Sequence, residues 1–531
     1  MTRFLLPLVA AAIFMSFFRL GSVTLFDVDE AVFSEATKEM VQSGDWITPT
    51  YNGENRYDKP ILFYWLMAAS YKVFGINEFG ARFPSALSGF VLSLAVFFFV
   101  RCFSEDRQAF LASLSLTLSA YFLVYTHAAV TDMALTLFIS LSLFSLFLSL
   151  ERRNTAGGYL CGFYMFSALA FLTKGLIGIL FPFGIAAVYL LLTGGVKGIK
   201  RMVSAPGILL FLLVSGPWYV AQLQLNGHDF IQQFFIKHHF KRFTGVISGH
   251  RGPLYYYIPV LILGLLPWVA FLPAGIRRAW GNPARVGDES ARPPQKSSSL
   301  IPSPLSPDLF FLVWFAFIFV FFSLSTTKLP NYILPSVPPA SMLIASGMAA
   351  GGRWRTYANA GIAVIMGGIG VAFLISEKYL LKFGISDVGW TLSAAAVSLA
   401  VAALGLYTAA RGKPSSLPAA VLMLLFFLIL SLKALPLASH QLQGTLHRYS
   451  LYAKERLGKD DRVITYGINH PSIVFYSDRK VVRVGNRDEL IPLLARGKGL
   501  LLVAKAKDVP GLGPLGFRLL DEEGKYALLE K

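Results

Sequence analysis

Long apolar runs recur through this chain, and they limit its architecture more than any other feature. Residues 132–150 read DMALTLFISLSLFSLFLSL, and residues 175–194 read GLIGILFPFGIAAVYLLLTG. Neither run has a charge in its interior, and each approaches the roughly 20 residues that cross a bilayer. Backbone groups inside a membrane must find their partners within the chain, so runs of this kind fold as helices. By the length rule about thirteen such spans are expected. They fall near 4–21, 84–101, 108–126, 132–150, 158–173, 175–193, 203–222, 254–275, 308–325, 331–350, 357–376, 389–410 and 417–433. The expected fold is therefore mainly α, a polytopic helical bundle. The first run is read as an uncleaved helix rather than a signal peptide.

The charges support this reading and orient it. The 531 residues are 55% hydrophobic and only 15% charged, too few charges for a soluble protein of this size. The net charge of +18 would suggest nucleic acid in a soluble chain. Here the basic residues fall in alternate loops: Arg101 and Arg107, Arg152 and Arg153, Lys197 to Arg201, Arg277 to Arg292, Arg353 and Arg355, and Arg411 and Lys413. That is the positive-inside pattern, so membrane lipids and not nucleic acid are the expected partners. A cytoplasmic N-terminus follows, and an odd span count puts the C-terminal segment outside. Cys102 and Cys161 lie near cytoplasmic helix ends, so no disulfide framework is expected. The Pro- and Ser-rich stretch 281–307 reads as a cytoplasmic linker.

The opposite loops are built differently. In the first, residues 29–43 place Val32, Phe33, Ala36, Met40 and Val41 on one helical face, as in a helix lying at the membrane interface. Lys59-Pro60 opens a second helix, and 222–253 forms another long outer loop. After about residue 440 the pattern changes to short strand-like runs (VITYG, KVVRV, LLLVAK, KYALLE) and one helix-like run, RDELIPLLARG. Two domains are expected: a transmembrane domain over 1–436 and a small soluble α/β domain over 437–531.

The candidate chemistry clusters on the outer side. Asp27, Asp29 and Glu30 put three carboxylates in four residues where a helix begins. Acids at such a position either cap the helix or do chemistry. Lys59 sits at a helix start, the wrong end for a cation on dipole grounds. It either snorkels or meets an anionic ligand. Asp132 stands at the outer end of a span, as a cap or a functional acid. Lys174 interrupts two apolar stretches and needs a carboxylate, a phosphate or a watered cavity. Lys237 to Phe243, with His239 and Arg242, and then His250-Arg251, place cations and aromatics where basic loops are unexpected. Phosphate recognition, metal binding and contact with anionic lipid heads all fit. Lys328-Leu329-Pro330-Asn331-Tyr332 forms another outer feature, facing a cavity or anchoring at the interface. Carboxylates beside phosphate-binding cations suit transfer of a group off a lipid phosphate. No phosphate-binding glycine loop for a nucleotide occurs in the sequence.

At these residues the chain resembles the polytopic GT-C glycosyltransferases, in the branch of the lipid A aminoarabinose transferases and protein mannosyltransferases. The resemblance runs to about residue 340. It is carried by Asp29-Glu30, Glu35, Glu39-Met40, Ser43 to Ile47, Lys59-Pro60, Tyr64-Trp65 and Phe79-Gly80 with Arg82. It continues through Thr173-Lys174-Gly175, His239 with Arg242-Phe243, His250-Arg251 with Pro253, Pro267-Trp268 and Lys328-Leu329-Pro330 with Tyr332. It implies a polyprenyl-phosphate-linked sugar donor, a lipid, glycan or protein acceptor, inversion at the sugar carbon, and chemistry at the periplasmic face. It implies Asp29 as the catalytic carboxylate and Asp132 as a second one. Glu30, Tyr57, Lys59, Lys174, Arg242, Arg251 and Tyr332 are implied substrate contacts. Asp58, with His239, is an implied ligand for a divalent metal, zinc or magnesium; no other cofactor is expected. The aminoarabinose branch follows its Asp-Glu pair with one residue and then Arg-Tyr, where this chain has Ala31, Val32 and Phe33. The competing expectation is a transporter or flippase of lipid-linked sugars, which should show paired repeats and charges at mid-membrane depth.

Overall fold

The computed structural model describes residues 1–152, 155–234, 252–281, 306–382, 385, 387–412, 416–458, 461–494 and 500–531. Among these, nine helices are long and apolar enough to cross a membrane, and two bent helix pairs bring the number to eleven. The first expected span is the shorter helix Thr2–Phe17. The expected span near 331–350 is the turn Pro330–Ser336 followed by the helix Val337–Ala349.

The bent pairs are Asp106–Thr117 with Ala120–Thr126, turned by 60°, and Tyr257–Gly264 with Trp268–Trp280, turned by 113°. A break frees carbonyls that the membrane cannot solvate. The structure answers with Trp268, whose indole N–H donates to the Leu118 carbonyl over 2.7 Å. The second break thus supplies part of the first one's repair.

The helix expected from residue 84 starts earlier, at Glu78. Asn77 caps it by accepting from Gly80 N at 2.8 Å. Arg82 is tolerated inside it because Glu30 neutralises the charge. Pro84 lacks the N–H that would bond the Gly80 carbonyl, and the Ser70 hydroxyl donates to that oxygen instead, at 2.6 Å. The division at Thr173-Lys174-Gly175 is real. The helix Ala156–Lys174 ends there, and Gly175, at φ +70°, lets the chain reverse into Ile177–Ile199.

The helix Asp29–Ser43 does not lie with one face toward lipid. Val32, Phe33, Ala36 and Met40 are buried as the periodicity requires, but so are Glu35, Thr37 and Lys38 on other faces. Its apolar side packs on the helix Leu62–Phe74, where Phe33 meets Phe63 and Tyr64. Its polar side is covered by the C-terminal region, where Lys38 bonds Asp478 at 2.6 Å.

A helical run from Leu417 to Arg456 leads into that region without a break. After the strands β1 (Thr50–Tyr51) and β2 (Glu54–Asn55) of the first loop, the sheet beyond this run orders its five strands as Lys480–Val484, Arg462–Tyr466, Leu501–Lys505, Tyr526–Glu530 and Arg518–Glu523. Strands β3 (Arg462–Tyr466), β4 (Lys480–Val484) and β5 (Leu501–Lys505) run parallel, with Val463 opposite both Val481 and Leu501. Strand β7 (Tyr526–Glu530) lies antiparallel between β5 and the edge strand β6 (Arg518–Glu523). The four strands and the helix Arg487–Leu494 follow the sequence reading. Strand β6 escapes it because RLLDEE, exposed except at Leu520, shows no apolar alternation.

Candidate functional site

The helix ends gather the candidate residues at one end of the bundle. The short segment 20–30 carries the three acids, and each is used differently. Glu30 is buried and saturated. Its Oε1 takes Arg82 Nε at 2.7 Å and Ala129 N at 2.9 Å, and its Oε2 takes Arg82 Nη2 at 2.9 Å and Phe26 N at 2.8 Å. Arg82 also donates to the carbonyls of Leu20, Val23 and Thr24. Glu30, expected to contact substrate, instead ties the end of the first helix to the segment before Asp132. Asp27 faces the C-terminal region. Asp29 is exposed at the first position of its helix.

The second half of the loop returns to Asp29. The strands β1 (Thr50–Tyr51) and β2 (Glu54–Asn55) form a hairpin that brings Arg56 and Asp58 back over Phe33. Arg56 pairs with Asp58 at 2.8 Å, donates to the Tyr64 hydroxyl at 3.1 Å and stacks over the Phe33 ring at 5.6 Å. Burial opposes the charge on Arg56, but Tyr64, Asp58 and Asp29 outweigh it and hold the guanidinium protonated. Asp29 and Asp58 therefore act on one cation. Lys59 follows at once, half-buried, with its ammonium 3.2 Å from the Asp58 carbonyl. Tyr57 points elsewhere: it is buried and donates to Asn226 at 2.9 Å, fixing the hairpin to the helix Ala205–Phe230.

A second group meets at Asp132. Asp132 is buried, and its Oδ1 accepts from Lys174 at 2.6 Å and Asn331 at 3.1 Å. The Lys174 ammonium stands 5.7 Å over the Tyr332 ring. Three elements distant in sequence thus bring Asp132, Lys174 and Tyr332 together. Lys328, from the same motif as Tyr332, turns away and caps the helix Pro307–Leu324 through the carbonyls of Phe322, Ser323 and Ser325.

His239, Arg242 and Arg251 lie outside the described residues. Asp58 is engaged by Arg56, and no group of three or more His, Cys, Asp or Glu side chains suited to a metal occurs among the described residues. Arg56, Arg82 and Asn331 were not singled out as site residues from sequence. Arg82 carried the clearest signal, an arginine at the start of an apolar run that needed a buried partner.

Residues 58–220 match the family model described as dolichyl-phosphate-mannose-protein mannosyltransferase. The chain is 32% identical over 352 residues to the undecaprenyl phosphate-alpha-4-amino-4-deoxy-L-arabinose arabinosyl transferase 2 of Pseudomonas fluorescens, a match covering 65% of this chain and 56% of that protein. The chain thus spans well under two thirds of that relative's length. An uncharacterised protein of Aquifex aeolicus is 33% identical over 341 residues, covering 64% of this chain and 72% of the relative. Among solved structures, ArnT from Cupriavidus metallidurans bound to undecaprenyl phosphate superposes with a TM-score of 0.82 at 24% identity, covering 100% of this chain and 98% of that one. That likeness shows the fold. With the motifs in order, the fold matched end to end and the sequence relatives in agreement, this chain belongs to the polytopic GT-C family that includes the aminoarabinose transferases and the protein mannosyltransferases.

Proposed function

We propose that this chain is an inner-membrane glycosyltransferase that moves a sugar from a polyprenyl-phosphate carrier to an envelope acceptor at the periplasmic face. The observation that carries this reading is a pair of charged groups on segments that are hydrogen-bonded to each other. Asp58 pairs with Arg56, whose charge Asp29 also favours, Asp132 joins Lys174, and the Glu30–Ala129 hydrogen bond of 2.9 Å links the segments that bear Asp29 and Asp132.

The chemistry follows from the residue types. The acceptor oxygen attacks the anomeric carbon opposite the phosphate. The carbon–oxygen bond to the phosphate breaks, and its electron pair leaves with the lipid phosphate. A hydroxyl acceptor gives its proton to Asp29, the exposed carboxylate, acting as general base. A phosphate acceptor is already anionic, and Asp29 then orients it. Lys59 and Arg56 offset the charge on the departing phosphate. The sugar we favour is 4-amino-4-deoxy-L-arabinose on undecaprenyl phosphate, because the relatives carry that name. Lipid A is the acceptor class implied by the resemblance. Val32 and Phe33 replace the Arg-Tyr of that branch, and Arg56, stacked over Phe33, supplies a cation whose charge Asp29 favours.

The test uses the full-length protein in lipid, with an undecaprenyl-phosphate-linked aminopentose and lipid A, followed by mass spectrometry. Transfer of the sugar mass to the acceptor is expected. Movement of the intact donor across the bilayer without transfer would instead establish a flippase.

A further inference from the structure

The Asp27 carboxylate is only 5% exposed, and its partners come from the C-terminal region. Ser472 donates to it twice, from N at 2.8 Å and from Oγ at 2.7 Å. His470 Nδ1 lies 3.0 Å from Oδ2. With its amide oriented to suit its neighbours, Gln443 donates to Oδ2 at 3.0 Å and accepts from the Asp27 N–H at 3.1 Å. Behind His470, Nε2 lies 3.0 Å from the Tyr526 hydroxyl on β7. Burial, and after it the Asp27 charge, push that phenol up, so it stays a donor. A neutral imidazole that accepts at Nε2 donates its Nδ1–H to Asp27.

Neighbouring residues are held from the same side. Thr24 Oγ1 bonds Ser439 Oγ at 2.8 Å, and Leu25 N donates to the Tyr476 hydroxyl at 2.8 Å. From the bundle side, Arg82 holds the carbonyls of Leu20, Val23 and Thr24. Residues 20–30 are therefore gripped between the membrane helices and the C-terminal region, and Asp29 stands two residues past Asp27. A single buried carboxylate with four donors is a costly arrangement unless every contact is kept. Here all four are kept by a region that supplies none of the candidate catalytic side chains.

We propose that the C-terminal region positions the active site, and that Asp27 is the positioning residue through which His470, Ser472 and Gln443 hold Asp29 in place. This rests on Asp29 being the reacting carboxylate of the proposed transfer. Asp27 itself touches no substrate. Its loss should alter the aim of Asp29 while leaving Lys59 and Lys174 to bind the donor.

Two readouts test this on the full-length protein in lipid. In the first, transfer kinetics of Asp27→Asn are compared with the unaltered chain. The amide keeps one acceptor but turns an NH2 toward three donors. The expected result is a kcat lower by about ten- to a hundredfold, the cost of a misplaced reacting group, with the donor KM within about twofold. Tyr526→Phe, which removes one hydroxyl two contacts away, serves if Asp27→Asn does not fold; a smaller fall in kcat, again at constant KM, is expected. The second readout needs no activity. In a chain carrying Cys102→Ser, Cys161→Ser and Asp29→Cys, labelling of position 29 by a water-soluble maleimide is timed with and without Asp27→Asn (or Tyr526→Phe). A severalfold change in rate is expected. Unchanged labelling overturns the proposal, as does altered labelling with unchanged kcat, or a rise in KM that accounts for the whole loss. Absence of transfer by the unaltered chain would defeat the functional reading first, and the positioning role with it.

Discussion

The Glu30–Arg82 and Asp132–Lys174 pairs sit at the same end of the bundle with nearly equal lengths, 2.7 and 2.6 Å, yet they are built for different purposes. Glu30 and Arg82 are 5% and 1% exposed, and the protein itself uses both carboxylate oxygens and all three guanidinium nitrogens. Asp132 receives both its described hydrogen bonds on one oxygen, and Lys174 is 15% exposed over a tyrosine face. A charge pair whose hydrogen-bonding capacity is filled holds segments together. One with capacity to spare, facing a polar cluster, is suited to a ligand. Distance alone would not have separated them.

Substitution sharpens this contrast. Arg82→Ala leaves Glu30 buried without its cation and should destabilise the protein by roughly 3–5 kcal/mol, read as a fall in thermal midpoint in detergent. Lys174→Met should lower stability much less while reducing sugar transfer by at least about tenfold, the loss expected when one charge-assisted contact goes. Equal thermal losses would erase the distinction between the pairs.

A smaller effect depends on pH. Glu35 lies between its own helix and the C-terminal region, and burial pushes it up to about 7 against the pull of Lys38. The folded state then holds this proton more tightly than the unfolded state does. Its stabilising contribution is complete below the unfolded value of 4.5 and is lost as pH rises through about 7. The difference is worth roughly 3 kcal/mol across that window. Glu35→Gln should flatten the thermal midpoint measured from pH 4.5 to 8. An unchanged slope would mean that another group carries it. The smallest effect belongs to Arg448, paired with Asp521 and Glu523 at the exposed edge strand. Arg448→Ala should cost no more than about 1 kcal/mol, since both partners stay in water.

How far the sequence could be read follows the same division. The spans were legible because hydropathy over about 20 residues is a local property. The helix break at Lys174 and four of the five sheet strands were legible for the same kind of reason. Asp132, Lys174 and Tyr332 could each be singled out because a charge or a phenol at a span end calls for a partner, although the sequence does not say which. The roles of Asp27 and Glu30 were not legible. Both looked like their neighbour Asp29, and only the contacts with His470 and Ser472, more than 400 residues later, and with Arg82 separate them. The burial of the Asp29–Ser43 helix on two faces was hidden likewise, since its second cover is Asp478 and the segment around it.

The central claim is that Asp29, left exposed while its two acidic neighbours are consumed by structure, does the chemistry. Asp29→Asn in the full-length protein should lower transfer from a polyprenyl-phosphate sugar by at least about a hundredfold, as loss of a general base does, with carrier-lipid binding and thermal midpoint unchanged. Transfer at the rate of the unaltered chain would contradict the account.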